Sequence, residues 1–270
     1  MSKTWFITGA SRGLGRQWTE AALERGDSVA AAVRDLASVE MLRSRYPETL
    51  LPVRLDVTDR DEAYAAVTTA AERFGKLDVV INAAGYGHFG VIEELTEAEV
   101  RAQMEANFYG MLWVTQAVLP LMRAAGSGHI IQVSSYGGVT TFPVVGAYAA
   151  SKWAVEGLNQ TLAQEVGDFG IRVTLVEPGP YATDWAGSSA RASVADPAYA
   201  DVKKRNAEYW AAASFGDPAA TRGAILRLAD APHPPLRMFL GRAPLDIVSR
   251  DYEDRLATWR KWQPVAEEAH

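Results

Sequence analysis

A tyrosine and a lysine four residues apart, Tyr148 and Lys152, form the pair best suited to chemistry in this chain. They lie near the start of an Ala-rich segment, 146–166, that predicts a helix, so both side chains would lie on one helical face. A free tyrosine has a pKa of about 10 and exchanges protons poorly near pH 7. A lysine ammonium held nearby favours the phenolate and lowers that pKa. The pair could therefore protonate the alkoxide that forms when hydride attacks a carbonyl, or run the reverse step.

Tyrosine and lysine are common, so the pair alone also fits two surface side chains.

A second candidate opens the chain, where a glycine-rich turn separates a short apolar run, 4–8, from a predicted helix that stops at Gly26. The turn contains Gly9, Ser11, Arg12, Gly13, Leu14 and Gly15. Glycines let the backbone approach a pyrophosphate, and the helix N-terminus offers free N–H groups. The turn predicts a dinucleotide site, although its G-x3-G-x-G spacing differs from the commoner G-x-G-x-x-G, and a purely structural turn stays the alternative.

The end of the second predicted strand, 28–33, bears on the choice of cofactor. In NAD-binding units an acidic residue here holds the ribose 2′-hydroxyl, and Val33 takes that position in this chain. Arg34 follows it, and Arg12 lies in the glycine turn. Two guanidiniums suit a 2′-phosphate, so NADP(H) is predicted as the preferred cofactor. Because Asp35 comes one residue later, NAD(H) stays possible, and two merely solvated arginines are the alternative.

Strand and helix patterns alternate along the whole chain. Strands are predicted at 4–8, 28–33, 50–55, 77–81, 129–134, 172–177 and 237–240. Helices are predicted from the glycine turn to Arg25, at 36–46, 61–74, from Thr96, from about Ala102 to Arg123, at 146–166 and at 218–229. This alternation predicts an α/β fold of the Rossmann type, a doubly wound parallel sheet of about seven strands with helices on both faces. We expect residues 1–270 to form a single domain.

Ligands of such sheets bind at the carboxyl ends of the strands, where several candidate residues fall. They are Asp56 and Val57, Asn82, Ala83, Ala84 and Gly85, Ser135, and Pro178 and Gly179. Asp56 is expected to accept a hydrogen bond from the adenine amine, and a helix cap is its alternative reading. Asn107 lies within an apolar helix, where a buried amide needs a partner, and it also fits a satisfied core residue.

Two later segments carry no motif. Residues 181–215 lack strand signals and are rich in aromatic side chains, so we expect a lid over the substrate, with aromatic packing onto the body as the alternative. Apolar residues recur at helical spacing in 244–262, which predicts an amphipathic helix that docks or dimerises rather than binding a membrane.

Composition excludes several classes of protein. The 270 residues contain no cysteine, which excludes disulfides and thiolate chemistry, and four scattered histidines make a metal site unexpected. A net charge of -6 gives no electrostatic reason to bind nucleic acid. No apolar run approaches the ~20 residues that span a bilayer. The first strand starts too early to leave room for a signal peptide, so a cytoplasmic location is expected.

One set of motifs occurs jointly and in a specific order. It comprises Thr8 to Gly15, Asn82 to Gly85, Asn107, Ser135, Tyr148-x-x-x-Lys152 and Pro178-Gly179. On these motifs the chain resembles the short-chain dehydrogenase/reductase family, in its single-domain form, over about residues 3–184. The family pattern places a serine thirteen residues before the tyrosine and thereby selects Ser135 over Ser134.

The resemblance implies a role for each matching residue. Tyr148 would be the general acid of reduction and the base of oxidation, and Lys152 would lower its pKa and hydrogen-bond the nicotinamide ribose. Ser135 would bind the substrate carbonyl, and Asn107 would hold a water of a proton relay. Thr183 would bond the nicotinamide carboxamide. A homodimer or homotetramer is also implied, formed through the helices that carry Asn107 and Tyr148.

These observations together predict an NADP(H)-dependent oxidoreductase, a ketoreductase or alcohol dehydrogenase, that acts on a fairly hydrophobic ketone, aldehyde or secondary alcohol. Two alternatives stay open. One is a dinucleotide-binding sensor without turnover, and the other is a related lyase or epimerase that uses the same tyrosine.

Overall fold

Seven parallel strands form the central sheet of the protein, whose computed structural model describes residues 2–269. The strands are β1 (Thr4–Thr8), β2 (Ser28–Val33), β3 (Leu50–Arg54), β4 (Val79–Asn82), β6 (Gly128–Val133), β7 (Ile171–Pro178) and β9 (Arg237–Leu240). A separate pair consists of β5 (His88–Phe89) and β8 (Arg191–Ala192). The order β3-β2-β1-β4-β6-β7-β9 reverses direction between β1 and β4, which confirms the doubly wound Rossmann-type fold that the sequence predicts.

Helices cover both faces of this sheet. They are α1 (Gly13–Glu24), α2 (Glu40–Arg45), α3 (Arg60–Phe74), α4 (Glu97–Met104), α5 (Gly110–Ala125), α6 (Gly146–Val166), α7 (Ala200–Ala211), α8 (Arg222–Asp230) and α9 (Ala243–Glu267). Successive residues of β1 face opposite sides of the sheet, as strand geometry requires. Trp5 and Ile7 belong to the core that contains Trp18 of α1, and Phe6 belongs to the core that α3 and α5 cover.

The segment predicted as two helices around residue 102 is one helical stretch in the structure. Thr96 caps α4 by accepting a hydrogen bond from Glu99, and a π-helical turn, Glu105–Tyr109, joins α4 to α5. Asn107 lies in this turn. Such π turns are rare and often mark functional sites, and neither the turn nor its position is visible in the sequence pattern.

Residues 181–215 form a closed excursion from the sheet, which we call the lid. The lid contains β8 and α7, although the sequence shows no strand signal there. Its two ends meet, because Ala182 donates its backbone N–H to Gly216 and Gly216 donates to Pro180 (both 2.9 Å). The lid therefore leaves and rejoins the body at one point, directly after β7.

The C-terminal helix α9 is longer than the predicted 244–262. Its first turns contact the body through Pro244 and Val248, which are buried. Further along, Trp259 and Trp262 are about 60% exposed, so the docking or dimerising role of this helix stays a prediction. Within residues 2–269 no helix combines the length and the apolar character needed to span a bilayer.

Candidate active site

A cleft of about 1160 Å³ opens at the carboxyl ends of the strands. Most of the residues expected to bind a dinucleotide or to act on a substrate line this one cleft. They are Gly9, Ser11, Arg12, Gly13, Leu14, Gly15, Arg34, Asp56, Val57, Ala83, Ala84, Gly85, Ser135, Tyr148, Lys152, Pro178, Gly179 and Thr183. Asn82 and Asn107 do not line it and lie behind its wall. The structure thus brings together residues that are up to 174 positions apart, from Gly9 to Thr183.

The glycine turn forms a cradle for an anion at one end of the cleft. Gly9 has a φ of +68°, and a Cβ there would lie 2.9 Å from the backbone nitrogen of Ala84. A Cβ at Gly15 would lie 2.5 Å from the Gly9 carbonyl oxygen, so only glycine fits at either position. Arg12 precedes α1 without a side-chain cap, which leaves the first N–H groups of that helix open to a ligand. This geometry fits a pyrophosphate.

Arg12 and Arg34 lie in the cleft beyond this cradle. Within residues 2–269, neither side chain has a carboxylate within 4.0 Å. Asp35, the acid one residue late, accepts a hydrogen bond from Ala37 (3.0 Å) and caps the turn 36–39 instead of lining the cleft. Two guanidiniums against the single carboxylate of Asp56 give this end of the cleft an excess of positive charge.

Asp56 faces the same end and is not the cap of the following helix. Asp59 caps α3, whereas Asp56 accepts two hydrogen bonds from Thr58, at 3.0 Å and 2.8 Å. Burial raises the pKa of Asp56, but the Thr58 hydrogen bonds and the charge of Arg34 outweigh burial and hold the pKa below its ordinary value. The side chain is therefore an ionised acceptor at neutral pH, as binding an amine requires.

The phenol of Tyr148 stands at the opposite end of the cleft, on α6, and is 8% exposed. Burial raises its pKa to about 12, although a hydrogen bond with Ser135 acts in the opposite direction. The sequence-based expectation of a lowered pKa is therefore not met in this structure, because desolvation of the phenolate dominates. Tyr148 is protonated at neutral pH, as a proton donor must be.

Ser135 is held by its own loop. Its Oγ accepts the N–H of Gly137 at 3.0 Å, which fixes the hydroxyl at the N-terminus of the turn 136–138. The neighbouring Ser134 lines the same cleft, and its Oγ would lie 2.6 Å from a Cβ at Gly138. What distinguishes Ser135 is its hydrogen bond with Tyr148, in agreement with the thirteen-residue spacing.

Lys152 is 6% exposed and donates to the carbonyl of Val133 at 2.7 Å. Its Nζ lies 5.8 Å from the centre of the Tyr148 ring. Burial lowers the pKa of Lys152 to about 8, against the opposing charge of Glu156. The ammonium is thus poised to lose its proton slightly above neutral pH.

Asn107 is held entirely by protein groups. Its Oδ1 accepts the N–H of Tyr86 (3.1 Å), and its Nδ2 donates to the Tyr86 carbonyl and to Ser151 Oγ (both 3.1 Å). These bonds tie the π turn to α6 and to the loop after β4. The proton-relay water that the resemblance implies for Asn107 stays a prediction.

Asn82 belongs to a buried amide network rather than to the surface of the cleft. Its Nδ2 donates to Gln132 (2.9 Å), which in turn donates to Asn159 (2.9 Å). The network links β4, β6 and α6 beneath the cleft floor. The small residues that follow, Ala83 and Ala84, donate their N–H groups to Thr8 Oγ1 (3.0 and 3.1 Å) and hold this loop against the glycine turn.

Two buried carboxyl groups lie behind Lys152 and Ser134. Glu156 and Glu177 are 4% and 1% exposed, and both face the guanidinium of Arg237, with Nε to carboxylate oxygen distances of 2.9 and 3.5 Å. Burial and the charge of Glu156 raise the pKa of Glu177 to about 8, and burial also raises that of Glu156. One arginine cannot neutralise two carboxylates, so this pair holds a proton near neutral pH.

Aromatic residues close the substrate end of the cleft. Trp185 of the lid packs edge-on against Tyr148, with ring centres 4.9 Å apart, and against Phe89 at 5.4 Å. A Cβ at Gly87 would lie 2.6 Å from the Trp185 ring, so glycine is needed for this contact. Sequence reasoning missed Tyr86, Gly87 and Phe89, because they precede or belong to a two-residue strand that no periodicity reveals.

The lid is also fastened by polar contacts. Ser193 Oγ donates to Glu99 (3.0 Å) and lies 2.9 Å from the Nε2 of His88. The carboxylate of Glu94 accepts from the backbone of Asp196 (2.6 Å) and from Lys203. Strand pairing between β5 and β8 adds backbone bonds, so the lid is docked over the cleft along much of its length.

No group of three or more His, Asp or Glu side chains within residues 2–269 has the arrangement of a metal site. The acidic residues and the histidine described above cap helical turns, hold the lid by hydrogen bonds or form the buried carboxyl pair. The geometry of the cleft depends on hydrogen bonds and backbone N–H groups.

Comparison with known proteins identifies relatives along the whole chain. A sequence profile described as short chain dehydrogenase matches residues 3–193. Oxidoreductase BOA17 of Botryotinia fuckeliana is 40% identical over 270 residues, which cover 98% of each chain. A solved short-chain dehydrogenase from Streptomyces avermitilis is 36% identical, with a TM-score of 0.94 over 100% of this chain and 98% of that one. An alcohol dehydrogenase from Thermococcus sibiricus, solved with 5-hydroxy-NADP, is 26% identical, with a TM-score of 0.75 over 89% and 96%.

Proposed function

The chain belongs to the short-chain dehydrogenase family of oxidoreductases, and on that premise we propose that it is an NADP(H)-dependent carbonyl reductase or alcohol dehydrogenase. The observation that carries this proposal is the single cleft that holds a pyrophosphate-sized cradle at one end and Tyr148, Ser135 and Lys152 at the other. The nicotinamide cofactor, when bound, supplies or accepts the hydride.

The residues at the substrate end supply the proton chemistry of the proposal. Tyr148, protonated at neutral pH, gives its proton to the oxygen of the carbonyl as that oxygen gains charge. Ser135 donates a hydrogen bond to the same oxygen. Lys152, whose ammonium lies 5.8 Å from the centre of the Tyr148 ring, stabilises the phenolate that remains, and it would hydrogen-bond the nicotinamide ribose. Asn107 completes a relay that returns the proton from solvent.

The preference for NADP(H) over NAD(H) depends on Arg12 and Arg34. Both lie in the cleft without a carboxylate partner among residues 2–269, and Asp35 is used in a cap. A 2′-phosphate would supply the missing anion, whereas a 2′-hydroxyl would leave both cations unpaired.

The proposal is tested by following NADPH oxidation at the nicotinamide absorbance across a panel of ketones and aldehydes, with NADH in parallel. Tyr148→Phe removes only the phenolic hydroxyl, the proposed proton donor, so turnover should collapse while NADPH still binds. Arg34→Ala should weaken NADPH binding by about 1–3 kcal/mol, the value of a charged hydrogen bond, and leave NADH nearly unchanged. Full activity of the phenylalanine variant, or equal losses for both cofactors, would overturn the respective part of the proposal.

Two other functions use the same residues. A dinucleotide-binding sensor would bind NADPH without oxidising it, and a lyase or epimerase would convert substrate without net change in NADPH. The complete set of Ser135, Tyr148 and Lys152 around one cleft supports the reductase, because a sensor would not need a proton donor. Net turnover of added NADPH separates the three.

The aromatic lid favours a fairly hydrophobic ketone, aldehyde or secondary alcohol. Trp185 and Phe89 present ring faces and edges beside Tyr148, and such surfaces bind apolar bodies. The cytoplasmic location and the homodimer or homotetramer stay predictions of the sequence analysis. So does the assignment of residues 1–270 as one unit with a lid at 181–215.

A further inference from the structure

A cation on the lid faces the cleft without a charged partner. Arg191 lies on β8 and lines the cleft near Trp185. Within residues 2–269, no carboxylate lies within 4.0 Å of its guanidinium. The acids of the cleft lining beyond the cofactor end are Asp184 and Glu105, and neither pairs with it. The proposed reaction leaves this residue without a role.

The backbone around Arg191 is fixed on both sides. Its N–H donates to the carbonyl of Gly87 (3.0 Å), and the N–H of Ser193 donates to Phe89 (2.9 Å). The side chain of Ser193 is held in turn by Glu99 and His88. A guanidinium whose main chain is already positioned loses less conformational freedom when it binds a ligand.

The surroundings of Arg191 leave its donors directed away from protein groups. Its guanidinium carbon lies 5.1 Å from the centre of the Tyr86 ring. The planar guanidinium carries five N–H donors, two of which a single carboxylate can accept.

Arg191 and Tyr148 line the same cleft, on either side of the segment that holds Trp185. The carbonyl of Gly87 accepts the backbone N–H of Arg191, and Trp185 packs over Gly87 and against Tyr148. A substrate that reaches both side chains needs a reacting oxygen at one end and an anion at the other.

We propose that Arg191 is a substrate-binding residue that recognises a carboxylate, so the substrate is an oxo acid or a hydroxy acid. This inference rests on the proposed function and names its substrate class. A carboxylate is favoured over a phosphate because a single guanidinium matches a single negative charge, whereas a phosphate dianion calls for a second cation. The side chain sets which substrate binds and takes no part in proton or hydride transfer.

The test compares two ketones that differ only in charge, 4-oxocyclohexanecarboxylate and its methyl ester, in NADPH-dependent reduction. Arg191→Gln should lower kcat/KM for the acid by roughly 10- to 100-fold, the value of a charged hydrogen bond, and for the ester by less than about 3-fold. Arg191→Lys should restore part of the loss on the acid. Arg205→Gln makes the same charge change on an exposed lid position outside the cleft and should alter neither rate.

A binding measurement keeps this inference separate from the proposed function. Calorimetric titration of the NADP-saturated enzyme with cyclohexanecarboxylate and with cyclohexanecarboxamide should show tighter binding of the acid, which Arg191→Gln abolishes. If neither ketone is reduced but the acid binds through Arg191, the proposed function fails and the site stands. If Arg191→Gln affects acid and ester equally, or the acid and the amide bind alike, the inference is overturned. Stronger inhibition by inorganic phosphate than by the carboxylate would also overturn it.

Discussion

Replacing Glu177 with glutamine should make the protein more stable at alkaline pH, although the change removes one of the two carboxyl groups that face Arg237. Glu177 is 1% exposed, and its pKa rises from 4.5 to about 8 because burial and the charge of Glu156 disfavour its anion. Glutamine keeps the shape of the protonated acid and carries no proton to lose. The ion pair between Glu156 and Arg237 (2.9 Å) stays in place.

The sign of the effect follows from the raised pKa. Since the folded-state pKa lies above the unfolded value, the folded protein holds a proton that the unfolded chain has released between about pH 4.5 and pH 8. That contribution to stability is complete below pH 4.5 and is lost as pH rises through this window, with a slope of at most about 1.4 kcal/mol per pH unit. Between pH 6 and pH 8, Glu177→Gln should gain about 2–3 kcal/mol relative to the wild type.

The assay is urea denaturation at pH 6, 7 and 8, with the free energy of unfolding compared at each pH. Glu165→Gln serves as the matched control, since Glu165 is an exposed glutamate on α6, and its curves should follow those of the wild type. A constant loss of stability at every pH in Glu177→Gln would refute the reasoning. Such a result would mean that the ionised Glu177 contributes an attraction to Arg237 that outweighs its desolvation.

Three further outcomes are expected at the site. Gly15→Ala should weaken NADPH binding by roughly 10- to 100-fold in fluorescence titration, because its Cβ would lie 2.5 Å from a carbonyl oxygen. Gly157→Ala is the control, because a Cβ at Gly157 has no atom within 4 Å. It should leave NADPH binding unchanged and stabilise α6 by about 0.5–1 kcal/mol. Trp185→Ala should raise the ratio of kcat/KM for bulky ketones to kcat/KM for small ketones by roughly tenfold. The same ratio in the variant and in the wild type would contradict this. The rate of carbonyl reduction should fall as pH rises through about 8, where Lys152 loses its proton, as a pH profile of kcat would show.

Much of the architecture could be predicted because each element carries a local signal. The buried strands are short apolar runs between turns, and Tyr148 and Lys152 lie on a helix whose bounds, Gly146–Val166, follow its composition. The glycine turn could be predicted for the same reason, because glycine is needed where two backbone segments approach each other closely. These features depend on residues close to one another in the chain.

What the sequence could not reveal depends on contacts between distant residues. The π turn at Asn107 coincides with bonds to Tyr86 and Ser151, which are 21 and 44 positions away. The pKa of Tyr148 is set by burial, which only the assembled cleft determines. Arg191 looks like any loop arginine until β5 and β8 pair and place it in the cleft beside Tyr86.

The closed base of the lid has a consequence for how this enzyme can diversify. Backbone hydrogen bonds join the two ends of the lid through Ala182, Gly216 and Pro180. The position of these ends on the sheet therefore does not depend on the length of the chain between them. The entropic cost of closing a loop grows only with the logarithm of its length, so insertions there are cheap. The lid can therefore vary in length and sequence independently of the sheet. The match to the family profile ends at residue 193, within the lid. Residues can therefore be added or lost there without moving the strand ends and the helix that hold Ser135, Tyr148 and Lys152.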